Sequence, residues 1–464
     1  MASVSNALRV NDQQFSDAIN TLKEFVSIPS VSNPNSEDYN LAHLQEAADF
    51  VKDRLVSLGF ETRFSVVEEG TAPYVLAQKI VDATKPTILL YAHYDVQPVE
   101  RDKWNTDPFV LTLQGERLYG RGASDDKAGV VSILTALNVY KDAKEELPVN
   151  VKILVEGEEE YGSANMRDLL VKEAAKLNAQ ALVILDGGNL DVATGTVENS
   201  TRGIVTFELR VDALEKPTHS GVGALVPDPC QALAGLIASL GNPREIPGFM
   251  DDCEEVDPSE VALLDQSSQT EASYAKEHGV KAGAILRGNS EESIYKRIVT
   301  EPSISVINMT AGKEGGGNSI QDYARCTFGV RLTPGQDPAR IEEVIKKHIA
   351  SQEVMYNLPY TLEKTGLSAK AWKGNINGPF TQAMLSGLKD SYGKIAVMPT
   401  GGALPLITDF EEFFPEIESI IAGVEDPDTS AHSHNESQDI GVLRKTTDAL
   451  IAFLDKAKAI PLKA

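Results

Sequence analysis

Residues 87–96 read Thr87-Ile88-Leu89-Leu90-Tyr91-Ala92-His93-Tyr94-Asp95-Val96, and the fold follows from how this stretch is read. The apolar run from Thr87 to Ala92 predicts a buried strand. It ends in His93 and, two residues on, Asp95. On an extended chain positions i and i+2 point the same way, so both side chains can face one site. A carboxylate beside an imidazole fixes its tautomer and strengthens it as a metal ligand. Taken alone, the pair reads as a polar exit from the core, so its meaning depends on what the rest of the chain supplies.

Upstream, Phe15, Ala18, Ile19, Leu22, Phe25 and Val26 recur at helical spacing, which predicts a helix with one apolar face. It stops near Ile28-Pro29, because proline disfavours helix in the residue before it. A second amphipathic helix is expected over 41–58, closed by Gly59, with strands at 61–67 and 74–80. Downstream, a Gly-rich stretch, 118–129, leads into a helix from about Val130 to Tyr140. A strand at 149–155 ends in Glu156-Gly157-Glu158-Glu159-Glu160, a helix covers 165–177, and a strand at 181–185 ends in Asp186. Strand and helix alternate and the strands are nearly continuously apolar. The expected fold class is therefore α/β, with a mostly parallel sheet covered on both faces.

From residue 201 the texture changes. Residues 204–211 alternate as a half-exposed strand, 303–309 and 324–332 read as strands, and 228–240 and 338–349 read as helices. This describes a smaller α+β unit with antiparallel character. Residues 242–297, rich in acid, Ser and Ala, read as helical or loop excursions, and 380–464 resume the first texture. The expected organisation is one α/β domain in two parts, 1–200 and 375–464, interrupted by a second domain at 201–374.

A chain of 464 residues is too long for one ordinary core. Its net charge of −25 argues against nucleic acid or an anionic membrane as partner, since either would repel it. The three cysteines, Cys230, Cys253 and Cys326, are scattered, which points to a reducing compartment and leaves any metal site to histidine and carboxylate. Residues 1–15 show no basic and apolar leader pattern, and no uninterrupted apolar run approaches about 18 residues. A cytoplasmic protein is expected.

Three predicted strands end in candidate ligands: His93 with Asp95, the run Glu156 to Glu160, and Asp186. In an open parallel sheet the carboxyl ends of the strands make the functional edge. A fourth acidic pair, Asp125-Asp126, lies in the Gly-rich loop. Four acidic loops on one edge repel one another, and one or two divalent cations would relieve that most completely. The loop Gly120-Arg121-Gly122-Ala123-Ser124-Asp125-Asp126-Lys127 is no phosphate cradle: it lacks the GK[ST] ending and its aspartates would repel phosphate. Near the C-terminus, Ala431-His432-Ser433-His434-Asn435-Glu436 adds imidazoles. His93, His432 and His434 thus fall in candidate loops, while His43 and His348 sit in predicted helices.

In this order the motifs, from Phe25-Val26-Ser27-Ile28-Pro29-Ser30 to the histidine segment, resemble the M20 family of metallopeptidases over nearly the whole chain. The resemblance implies a zinc-peptidase-like catalytic domain interrupted by a lid domain that also dimerises. It implies two divalent ions, zinc first and manganese or cobalt as alternatives. His93, Asp125 and Asp186 would hold one ion, and Asp125, Glu160 and His432 the other, with Asp125 bridging. Asp95 would orient His93, and Glu159 would act as general base. His219, in Thr218-His219-Ser220-Gly221, matches a histidine supplied by the other subunit of a homodimer. Arg331 and Asn318, the latter after Gly315-Gly316-Gly317, match substrate contacts, as does the Gly401-Gly402-Ala403 loop.

The chain departs from the family at Lys127-Ala128-Gly129, where DKG is common, and at Asn318-Ser319-Ile320-Gln321, where NxIP is common. It also has Thr400 before Gly401, where carnosinase-like members carry an acid. These differences leave the metal set whole and concern the substrate pocket. The implied activity is hydrolysis of dipeptides or short peptides with release of a C-terminal amino acid, the long insertion between Pro243 and Pro302 favouring the carnosinase-like branch. The alternative is an N-acyl-amino-acid deacylase with the same centre. An inactive relative would lack a base or ligand, and none is missing.

Overall fold

A computed structural model describes residues 8–256, 258–267, 269–312 and 317–462. Gly315 and Gly316 of the glycine triplet, and residues 1–7 of the leader reading, lie outside the described residues. The opening stretch forms the strand Thr87–His93 at the heart of a nine-stranded sheet. Its neighbours are Asn150–Glu156 on one side and Ala181–Ile184 on the other, both parallel to it, and Glu418–Ala422 extends the parallel set. Towards the edges the sheet turns antiparallel, through Tyr74–Lys79 and Glu61–Ser65 at one end and Thr194–Thr201 and Trp372–Lys373 at the other. The strand Lys394–Pro399 pairs in parallel with Thr194–Thr201.

The central strand is apolar from Ile88 to Ala92 because it is covered on both faces. Ile88, Leu90 and Ala92 enter one core with helices Asp12–Val26, Leu41–Ser57, Lys127–Ala143 and Ile440–Ala457. Leu89 and Tyr91 enter another with helices Met166–Leu177 and Pro405–Phe413. Proline at the start of the latter is in place where its missing N–H costs nothing.

A separate four-stranded antiparallel sheet has the order Ser303–Thr310, Tyr323–Leu332, Gly203–Asp212 and Tyr360–Ala369. Helices Pro229–Ser239 and Pro338–Ala350 cover it around its own core of Phe207, Leu233, Phe328 and Ile345. In the strand Gly203–Asp212 buried and half-buried residues alternate along the whole length, as expected of a sheet with one covered face. The acid-, Ser- and Ala-rich segment carries short helices, Pro258–Ser267, Glu271–Glu277 and Ile294–Thr300. Among the described residues no helix is long and apolar enough to cross a membrane.

One strand of the large sheet, Thr194–Thr201, had no counterpart in the sequence reading. It is buried throughout, yet its sequence TGTVENST has a single large apolar residue, Val197. Several of its polar atoms are hydrogen-bonded: Thr196 N–H donates to Asn189 Oδ1 at 3.0 Å, and Asn199 Nδ2 donates to Glu260 Oε1 at 2.9 Å. A strand that trades apolar contacts for hydrogen bonds leaves no hydrophobic period to detect.

Candidate metal centre

Five chain segments meet at the carboxyl end of the parallel strands, and they carry His93, Asp125, Glu160, Asp186 and His432. His93 is the last residue of its strand and is fully buried. Its Nε2 lies 3.0 Å from Asp125 Oδ1 and 3.7 Å from Asp186 Oδ1. On the other side of Asp125, Oδ2 lies 3.1 Å from His432 Nε2, which is itself 2.9 Å from Glu160 Oε2. Two donor sets result, His93–Asp125–Asp186 and Asp125–Glu160–His432, each with its ligand atoms within 4.8 Å of one another. Asp125 belongs to both.

Local structure explains each placement. Asp125 precedes Asp126, which caps the helix Lys127–Ala143: its carboxylate accepts from Gly129 N–H at 3.1 Å and from His93 N–H at 3.2 Å. Lys127, fully buried, donates to the carbonyls of Phe25 and Ile28 at 3.0 and 2.7 Å, anchoring the loop to the end of the first helix. Asp95 accepts from the backbone N–H groups of Glu159 and Glu160 at 3.3 and 3.0 Å, while its Oδ1 lies 3.4 Å from His93 Nδ1. One carboxylate therefore touches the histidine and pins the glutamate loop. That loop turns at Gly157, where a Cβ would fall 2.2 Å from the Tyr94 hydroxyl. His432 has a left-handed backbone, φ 57°, a conformation histidine adopts more readily than most residues.

The electrostatics match a site suited to hold cations. Burial raises Glu160 to about 7, with the Asp125 charge adding to it, and burial also raises Asp186. Asp125, despite burial, is held below the ordinary carboxylate range by its hydrogen bonds to His432 and His93. Burial pushes Glu159 well above its ordinary value; it belongs to neither donor set. Glu160 Oε1 is buried with no hydrogen-bond partner. An orphaned buried oxygen and two nitrogen/oxygen donor sets sharing one carboxylate fit a pair of divalent ions.

The predicted substrate residues sit elsewhere, in two groups. His219 pairs with Ser319 in a two-stranded ladder, and Ser220 N–H donates to the Asn318 carbonyl at 3.0 Å, so His219 and Asn318 are neighbours. Arg331 and Gly402 are joined through Arg202, whose Nη2 donates to the Arg331 carbonyl at 3.2 Å and whose backbone N–H donates to the Gly402 carbonyl at 2.7 Å. Gly401 and Gly402 are exposed and Ala403 is half-buried. Among the described residues none of these side chains hydrogen-bonds or ion-pairs with the two donor sets. His434 is exposed and lies in neither set.

Three residues went unread in the sequence. Gln97, whose amide donates to Glu160 Oε2 at 2.7 Å, continues the i, i+2 alternation of His93 and Asp95 and was legible there. Arg202 and Glu436 were not, because their partners are far away in the chain.

The chain matches Peptidase family M20/M25/M40 over residues 89–456. It is 30% identical to a cysteinylglycine-S-conjugate dipeptidase from Corynebacterium striatum, over 93% of this chain and 94% of that one. Among solved structures, an M20 family metallo-carboxypeptidase from Sulfolobus solfataricus superposes with a TM-score of 0.83 at 29% identity, covering 96% of this chain and all of the other (100%). Human carnosine dipeptidase 1 superposes with a TM-score of 0.80 at 25% identity, covering 97% of each chain. The chain belongs to the M20 family of peptidases and is a metal-dependent hydrolase.

Proposed function

We propose that the protein hydrolyses dipeptides or short peptides and releases the C-terminal amino acid, using a dinuclear centre. The observation that carries this reading is the sharing of Asp125 by two donor sets with Glu159, bound to neither, beside them. His93, Asp125 and Asp186 would hold one ion and Asp125, Glu160 and His432 the other, with zinc the expected metal for such a set and manganese or cobalt compatible with it. Bound there, two divalent ions supply Lewis-acid polarisation of a carbonyl and lower the pKa of water.

The protein's own groups do the rest. Asp95, between His93 and the N–H groups of Glu159 and Glu160, keeps ligand and base in register. Glu159 accepts a proton from the attacking water and delivers it to the departing amine nitrogen. Arg331 is half-buried, and among the described residues its guanidinium forms no ion pair. It is suited to grip the substrate carboxylate through two parallel hydrogen bonds. Asn318 and the Gly401–Gly402–Ala403 loop would border the same substrate.

In this reading the second domain, expected over 201–374 between the catalytic parts 1–200 and 375–464, forms a lid built on the four-stranded sheet drawn wholly from 203–369, while Thr201 and Trp372–Lys373 at its ends pair within the large sheet. The lid would also dimerise, bringing His219 of a second copy to the developing oxyanion. The reaction belongs in the cytoplasm, where the three free cysteines stay reduced.

Dipeptide relatives, rather than acyl-amino-acid ones, favour the peptidase over the deacylase reading. The test is a panel of dipeptides against acetyl- and succinyl-amino acids, run on protein whose metal content has been measured. Dipeptide turnover with about two ions per chain is expected; turnover of the acyl substrates alone overturns the reading.

A further inference from the structure

Glu436 is fully buried and its carboxylate is saturated by one short stretch of chain more than three hundred residues away in sequence. Oε1 accepts from Ser124 N–H at 2.9 Å and from Asp125 N–H at 3.1 Å. Oε2 accepts from Gly122 N–H at 2.9 Å and from Arg121 Nη1 at 2.8 Å. The Glu436 carbonyl in turn accepts from Gly120 N–H at 3.0 Å. Arg121 reaches back across the same seam, its Nη2 donating to the carbonyl of Ser433, next to His432, at 2.9 Å. Beyond it, Ser124 Oγ donates to Gln438 Oε1 at 2.8 Å, and Ser437–Asp439 pairs with Arg117–Tyr119.

We infer that Glu436 is a positioning residue that assembles the two donor sets into one centre, presenting Asp125 and His432 as a single unit. This rests on the metal-centre reading above. Glu436 belongs to neither donor set. It holds the backbone N–H of Asp125 itself, so it sets the direction in which that side chain leaves the loop. Through Arg121 it also fixes the carbonyl beside His432. A fully buried carboxylate survives only when its charge is compensated, and here Arg121 and three backbone donors compensate it. An apolar side chain at this position would leave the N–H groups of Gly122, Ser124 and Asp125 buried without an acceptor.

The experiment compares metal-stripped wild type, Glu436→Gln and Glu436→Asp by calorimetric titration with zinc and by thermal unfolding of the metal-free proteins. Glutamine turns an amide donor against the N–H groups of the loop; aspartate keeps the charge but withdraws it by one methylene. Groups that orient metal ligands cost about 10–100-fold in affinity when changed. Glu436→Gln is expected to weaken both ions by that factor together, because Asp125 serves both, and Glu436→Asp to weaken them less. Wild-type affinity and stoichiometry in the variants, with only a lowered melting temperature, overturns the inference. Should Glu436→Gln fail to fold, Glu436→Asp decides by the same criterion. Wild type that takes up two ions yet cleaves no dipeptide overturns the proposed function and leaves this inference standing, whereas wild type that takes up fewer than two overturns both.

Discussion

Asp125, Glu159 and the two histidines carry the chemistry proposed here, and each makes a distinct prediction at the scale of a single side chain. Glu159→Gln removes the proton carrier and no ligand. It is expected to keep its metal content while kcat falls by about 10²–10⁴-fold, the usual contribution of a general acid–base. Near-normal turnover would mean that another group is the base. The histidines predict a proton balance. In the metal-free protein, hydrogen bonds to Asp125 and Glu160 push His432 up to about 11. Burial alone would lower His93, but the Asp186 charge and its hydrogen bonds to Asp125, Asp186 and Asp95 hold it well above its ordinary value. In the metal-free protein both shifts favour the protonated imidazole, which must lose its proton to ligate. Metal binding should release protons from the histidines and from Glu160, and affinity should rise with pH. Calorimetry in buffers of different ionisation enthalpy reads this directly; pH-independent affinity would contradict it. The same shift has a stability sign. A raised folded value contributes stability fully present below the unfolded value of 6.5 and lost as pH rises through about 11, so His432 stabilises the metal-free protein less at alkaline pH.

At the scale of elements, long apolar or amphipathic segments were legible and short polar ones were not. Helices Asp12–Val26 and Leu41–Ser57 and the strand Thr87–His93 stand within a few residues of their sequence boundaries, because their apolar periods answer to real cores. Thr194–Thr201 escaped because its burial is balanced by hydrogen bonds rather than by apolar contact. The helix Lys127–Ala143 began three residues before its expected start, since Asp126 is a cap as well as part of an acidic pair. That double use is testable. Asp126→Ala removes a helix cap, worth about 1–2 kcal/mol, and leaves the buried His93 N–H without its acceptor, worth about 1–3 kcal/mol. Urea unfolding of the metal-free variant should show a loss of about 2–5 kcal/mol, the sum of those terms. Asp126→Asn, which keeps an acceptor, should lose clearly less, and equal losses would show that the cap is not the cause.

For the whole molecule, the arrangement of two sheets sets the question of a shared site. His219 and Asn318 are neighbours of each other, and among the described residues neither hydrogen-bonds or ion-pairs with a donor set. Mixing Glu159→Gln with His219→Ala chains tests this. If His219 acts across a dimer, half the random pairs hold one intact site in two, about one quarter of wild-type activity; no recovery would confine His219 to its own subunit or to no catalytic part. The sequence by itself determined the α/β alternation, the interruption by an antiparallel unit and the identity of the ligand candidates. The first two follow from local period; the candidate loops follow from residue type, and the choice of ligands among them from the family resemblance. Only the tertiary structure decided that Asp125 stands between two histidines more than three hundred residues apart, that Asp95 grips the glutamate loop, and that Glu436 closes the seam between Gly-rich and C-terminal loops. Those contacts depend on strand order and on which loops the sheet brings side by side, and no short-range pattern encodes them.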